Sequence, residues 1–137
     1  MGSKTFTIEE ANRLIPDLSR LFSKINEIRI KIGLIKESMN YAWQAKPEFP
    51  ESQQKLAEKI QTLSQEVKKY VAEMQTVGCI VKDLDNYLVD FYSTVDGKPA
   101  FLCWKYGEER ISYWHDVQAG NRNRIPLNPI RQEMNRI

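Results

Sequence analysis

Two long apolar seams constrain this chain more than any other feature. Leu18, Leu21, Ile25, Ile28, Ile32, Ile35 and Met39 recur at alternating steps of three and four, and Leu56, Ile60, Leu63, Val67, Tyr70, Met74 and Val77 repeat that rhythm. Such spacing is the a/d pattern of a coiled-coil seam, narrower than the face of an ordinary globular helix. Between the seams, Pro47 and Pro50 end one helix and start the next. Two seams of similar length joined by a short proline-containing turn predict an antiparallel helical hairpin with coiled-coil-like packing.

The ends of these helices carry their own signals. Thr7 followed by Glu10 is a capping box, which starts a helix at about residue 8. Pro16 interrupts "NRLIPDLSR" and predicts a short helix over 8–14 that breaks before a long one resumes near Pro16. Gly78 is the expected C-cap of the second long helix. Ile30, Leu34 and Tyr41 form a second apolar stripe away from the first seam, with Gly33 beside it. A stripe of that kind is covered either by a second copy of the chain or by the C-terminal third, and these residues are the candidate oligomer interface.

After Gly78 the period changes to that of strands. "CIVKDLDNYLVDFYSTV", "KPAFLCWKY" and "ERISYWHDV" are rich in branched and aromatic residues and are separated by "DG" and "GE" turn signals. Asp96-Gly97 predicts a two-residue type I′ hairpin, so Val95 faces Lys98, Phe91 faces Leu102 and Asp90 faces Cys103. Pro99 lacks an N–H on the side of the third strand, so that strand fades near His115. The expected fold is α+β: a long helical hairpin over 7–78, a three-stranded antiparallel meander over 79–117, and an Arg- and Pro-containing tail over 118–137, all in one domain. The tail reads as a strap, with one short helix expected from Pro129.

Composition narrows the function classes. Twenty basic against eighteen acidic residues leave a formal charge of +2, too close to neutral to imply a polyanionic partner. Cys79 and Cys103, with no Cys-x-x-Cys pair, argue against a disulfide scaffold or a zinc knuckle and suit a reducing compartment, the cytoplasm. No apolar run has the length of a membrane span, and "MGSKTF" lacks both a secretory stretch and the myristoylation pattern.

Phe6 with Glu9, Glu10, Ala11 and Asn12, then Val81-Lys82-Asp83-Leu84, Leu88-Val89-Asp90-Phe91, Leu102-Cys103-Trp104, Gly107-Glu108, Tyr113-Trp114-His115 and "NRNRIPL" span nearly the whole chain. In these elements the chain resembles the bacterial family DUF2203, a domain of unknown function. Asn86-Tyr87 departs from it, standing where that family tends to have a small residue or glycine. The resemblance implies a bacterial cytoplasmic protein with a helical hairpin and a small sheet, and brings no activity with it.

Residues 102–117 hold the chemistry. Asp90, Cys103, Glu108 and His115 are the candidate metal ligands, because a thiolate with an imidazole and carboxylates suits zinc or another divalent ion. Strand alternation decides whether they meet. A two-residue Gly107-Glu108 loop sends Cys103 and His115 to opposite faces, and an odd-length loop brings them to one face. Core packing of Cys103 and a hydrogen-bonded His115 are the plainer outcome. Nucleophilic catalysis by Cys103 with His115 needs the same parity and an oxyanion site, and no glycine-rich nucleophile elbow is present. No catalytic or cofactor-binding residues are assigned, and no cofactor is expected unless a divalent metal such as zinc binds.

Trp104, Trp114, Arg122 and Arg124 are the candidate binding surface, with Arg122 and Arg124 able to pair with Asp90, Glu108 or Asp116. The sequence thus favours a non-enzymatic interaction or scaffold module that self-associates, most simply as a dimer, through helix faces. The alternatives are a metal or redox site at Cys103 and His115, and weak nucleic-acid binding through the Arg-rich tail. Mixed charge on the second helix, Lys55, Lys59, Lys68 and Lys69 against Glu51, Glu58, Glu66 and Glu73, argues against the last of these.

Overall fold

The computed structural model describes residues 4–45, 50–117 and 124–127. Two helices are followed by an antiparallel sheet: α1 (Ile8–Ala45), α2 (Pro50–Thr76), β1 (Ile80–Asp83), β2 (Leu88–Val95), β3 (Lys98–Lys105), β4 (Tyr113–Asp116) and β5 (Ile125–Pro126). The strands lie in the order β1-β2-β3-β4-β5. Pro47, Arg122 and the helix expected from Pro129 fall outside the described residues. Two compact units emerge, one of residues 1–20 with 73–137 and one of residues 21–72.

The sheet unit opens with the expected cap. Glu10 N–H donates to Thr7 Oγ1 at 3.0 Å, and Thr7 N–H donates to Glu10 Oε1 at 2.9 Å. That pairing, led by the backbone bond, holds the Glu10 carboxyl below its ordinary range. The helix does not break at Pro16, as the sequence predicts, but continues through it. Proline removes one hydrogen bond at a cost of about 3 kcal/mol. The compensation is a continuous buried face of Ile8, Ala11, Ile15 and Leu18, which a break would expose, while Pro16 itself faces solvent.

Among the described residues five strands replace the three expected. "CIVKDLDNYLVDFYSTV" is two strands, because Leu84–Tyr87 turn the chain back on itself. Asp83 nucleates the turn, its Oδ1 accepting from Asn86 N–H at 3.2 Å and its Oδ2 from Asn86 Nδ2 at 2.8 Å. Tyr87 closes it at φ 55°, a left-handed conformation that suits glycine or another small residue better than tyrosine. The fifth strand comes from the tail, whose Ile125 and Pro126 pair with Trp114 and Tyr113.

The central hairpin follows the sequence reading residue for residue. Val95 pairs with Lys98, Phe91 with Leu102 and Asp90 with Cys103. Asp96 and Gly97 both have positive φ, 54° and 80°, as a type I′ turn requires. Strand β4 ends at Asp116, opposite Ala100, one residue short of Pro99. One sheet face carries Val89, Phe91, Val95, Ala100, Leu102 and Trp104 into the core. There the Phe6 ring meets Phe91 edge-on at 5.1 Å, and Phe6 N–H donates to the Tyr92 carbonyl at 2.8 Å.

In the helical unit, the seam residues Leu21, Ile25, Ile28 and Val67 are buried, while Ile32, Ile35, Leu56, Ile60 and Leu63 are half-buried. Contacts pair early positions of one helix with late positions of the other: Lys24 Nζ lies 5.7 Å from the Tyr70 ring centre, and Gln53 Nε2 donates to the Met39 carbonyl at 3.3 Å. Ile30, Leu34 and Tyr41 are 56%, 58% and 75% exposed, and Leu34 borders a groove with Lys59 and Leu63 of α2.

A candidate metal centre on the sheet

The second sheet face holds polar side chains that a core rarely tolerates. Asp90 lies on β2, Cys103 opposite it on β3, and Tyr113 opposite Cys103 on β4, with His115 two residues further along β4. Alternation along a strand then places Asp90, Cys103 and His115 on one face. The pairing of Cys103 with Tyr113 is the parity of an odd-length loop, so the connection over 106–112 decides the point the sequence left open. Asp90, Cys103 and His115 are respectively 1%, 0% and 0% exposed. One donor atom from each of the three lies within 4.8 Å of the others.

Hydrogen bonds hold the loop in place. Glu108 N–H donates to the Lys105 carbonyl at 3.0 Å, and Lys105 N–H donates to Glu108 Oε1 at 2.8 Å. Ile111 N–H donates to Asn12 Oδ1 on α1 at 2.7 Å, and Leu127 N–H donates to the Ser112 carbonyl at 2.8 Å. The Trp104 indole N–H reaches the Glu108 carbonyl at 2.9 Å. Trp104 therefore lies fully inside the core and offers no binding surface, whereas Trp114 is half-buried.

Glu108 does not join the ligand cluster. Its two oxygens accept from Arg124 Nη2 at 2.8 and 3.1 Å, and the Arg124 guanidinium stacks over the Tyr113 ring at 4.2 Å. Arg124 is thus engaged with the sheet, half-buried, rather than presented as a free cation.

The histidine has a determinate tautomer. Its Nδ1 lies 3.0 Å from the Asp116 backbone carbonyl, an oxygen that can only accept, so Nδ1 carries a proton and donates it. Its Nε2 lies 3.1 Å from Asp90 Oδ1. One shared proton joins that pair. Burial raises the Asp90 carboxyl above its ordinary range, against the lowering pull of His115, Lys82 and Cys103. Burial likewise pushes the Cys103 thiol up, opposed chiefly by the Arg124 guanidinium.

This arrangement does not suit a cysteine nucleophile. Both His115 nitrogens are occupied by oxygen partners, so neither is free to take the Cys103 proton, and the thiol is enclosed and held protonated. A cation suits it better. Zinc bound to imidazole, thiolate and carboxylate at about 2.0–2.3 Å sets donor atoms roughly 3.3–3.6 Å apart; here His115 Nε2 and Asp90 Oδ1 are 3.1 Å apart and the three donors lie within 4.8 Å. The bond from Nδ1 to a backbone carbonyl is the outer support that metal-ligating histidines use. Among the described residues no fourth His, Cys, Asp or Glu joins the group.

Fold and cluster together define a two-helix, five-stranded α+β protein with a buried Asp-Cys-His group on its sheet. Residues 4–127 match the family described as an uncharacterized conserved protein, DUF2203, and the chain belongs to that family. No curated protein and no solved structure matches it.

Proposed function

We propose that the protein binds a divalent metal ion of the zinc class through Asp90, Cys103 and His115. The observation that carries this reading is the gathering of one donor atom each from buried Asp90, Cys103 and His115 within 4.8 Å, with His115 Nδ1 turned to the Asp116 carbonyl so that Nε2 faces the group. A cation there replaces the shared proton and the thiol proton together. Purified full-length protein titrated with Co(II) should take up one ion per chain and develop an intense near-ultraviolet thiolate-to-cobalt band, which Cys103→Ser abolishes. Absence of uptake by the wild-type chain overturns the proposal.

A second reading concerns the helical unit, which acts as an interaction module that associates with another copy of the chain. The exposure of Ile30, Leu34 and Tyr41 along one stripe of α1 supports it. Light scattering should report a dimer that Ile30→Glu with Leu34→Glu converts to monomer. A wild-type monomer at all concentrations removes this reading. Nucleic-acid binding through the tail finds no support in Arg124, which is already committed to Glu108.

A further inference from the structure

We propose that Arg124 is a positioning residue of this metal centre, donating from Nε to the Cys103 thiolate when a cation is bound and so setting how strongly the sulfur donates to the metal. The inference rests on the metal reading above and gives that site a partner the ligand set does not contain.

The geometry begins with how the guanidinium is held. Arg124 directly precedes β5, which is docked by the pairing of Ile125 with Trp114 and by the bond from Leu127 N–H to the Ser112 carbonyl. Glu108 grips Nη2 from one side with both oxygens, and the Tyr113 ring lies against its face. Tyr113 is also the cross-strand partner of Cys103, so a group stacked on that ring stands next to the sulfur. The two groups also act on each other electrostatically: the guanidinium opposes the burial that pushes the Cys103 thiol up, and Cys103 is among the groups that keep Arg124 charged.

One donor remains. Arg124 Nε is buried and has no hydrogen-bond partner. Leaving a buried donor unpaired costs about 1–3 kcal/mol, so its persistence asks for an acceptor that the metal-free state lacks. A thiol sulfur accepts weakly, whereas a thiolate accepts a charge-assisted bond from a guanidinium well. Metal binding turns the first into the second beside a guanidinium already held by Glu108 and Tyr113. The N–H···S bond draws electron density from the sulfur, which makes it a weaker donor and raises the energy of its charge-transfer transition. Glu108 thereby has a role as the anchor of Arg124 rather than as a ligand.

The test uses full-length, Co(II)-loaded protein and reads the position of the thiolate-to-cobalt band. Arg124→Gln should retain the cobalt and move the band to longer wavelength, and Arg124→Lys should recover part of that shift. Glu108→Gln, which loosens the anchor while leaving the arginine, should move the band in the same direction by less. An unchanged band in cobalt-loaded Arg124→Gln overturns the proposal while leaving metal binding intact. Should that variant fail to fold, an unchanged band in Glu108→Gln overturns it. A wild-type chain that takes up no cobalt overturns the metal reading itself, and with it this one.

Discussion

Asp90 and His115 form a buried pair whose members are unequal in what they tolerate. In Asp90→Asn, the new amide can still donate to His115 Nε2, so the variant should lose about 1 kcal/mol of stability while losing metal binding. His115→Ala leaves both a cavity and a buried carboxyl without its partner, and should cost about 3–5 kcal/mol in urea unfolding. Equal losses for the two variants would show that the His115–Asp90 bond, and not the cavity left by the imidazole, sets the cost. Cys79 offers an independent measurement. Its thiol is buried, donates to the Met74 carbonyl at 3.3 Å, and is pushed up to about 11, with desolvation the leading cause. The folded chain therefore keeps this proton when the unfolded chain has begun to lose it. Stability from Cys79 is fully present below about pH 9 and is lost as pH rises to about 11, a change of roughly 2–3 kcal/mol. Denaturant titrations across that window should show the decline in wild type and a shallower one in Cys79→Ala.

At the scale of elements, the turns separate conformational cost from steric cost. Gly97 sits at φ 80° with open space where a Cβ would go, so Gly97→Ala should cost about 1 kcal/mol from backbone strain alone. Gly78 caps α2 at φ 104°, and a Cβ there would lie 3.0 Å from the Phe6 ring. Gly78→Ala should therefore cost more than Gly97→Ala, and a smaller loss would mean that Phe6 is loosely packed. The start of α1 and the register of the β2–β3 hairpin were both legible because each depends on residues three or four apart. Pro16 was misleading for the opposite reason: its local cost is real, but the buried face on both sides of it outweighs that cost. The turn at Leu84–Tyr87 was missed although Asp83 and Asn86 carry a turn signature, because the branched and aromatic residues around them read as one uninterrupted strand.

For the whole molecule, a metal that binds only the folded state adds stability by mass action. A concentration of Zn(II) one hundred times the dissociation constant should add about 2.7 kcal/mol and raise the melting temperature by roughly 10 °C. Cys103→Ser should lose most of that increment, and an equal rise in both proteins would point to binding elsewhere. Local chemistry written along the chain was enough to define the capped start of α1, the two seams and the Asp96-Gly97 hairpin, since each is decided by neighbours within a turn or two. The cluster of Asp90, Cys103 and His115 was not decided that way. It depends on the parity of the connection over 106–112, which is held by Asn12 from α1 and by Leu127 from the tail, far away in the chain. A one-residue slip moves every side chain of a strand to the other face, so only the folded molecule, by anchoring that loop at both sides, brings the cysteine and the histidine together.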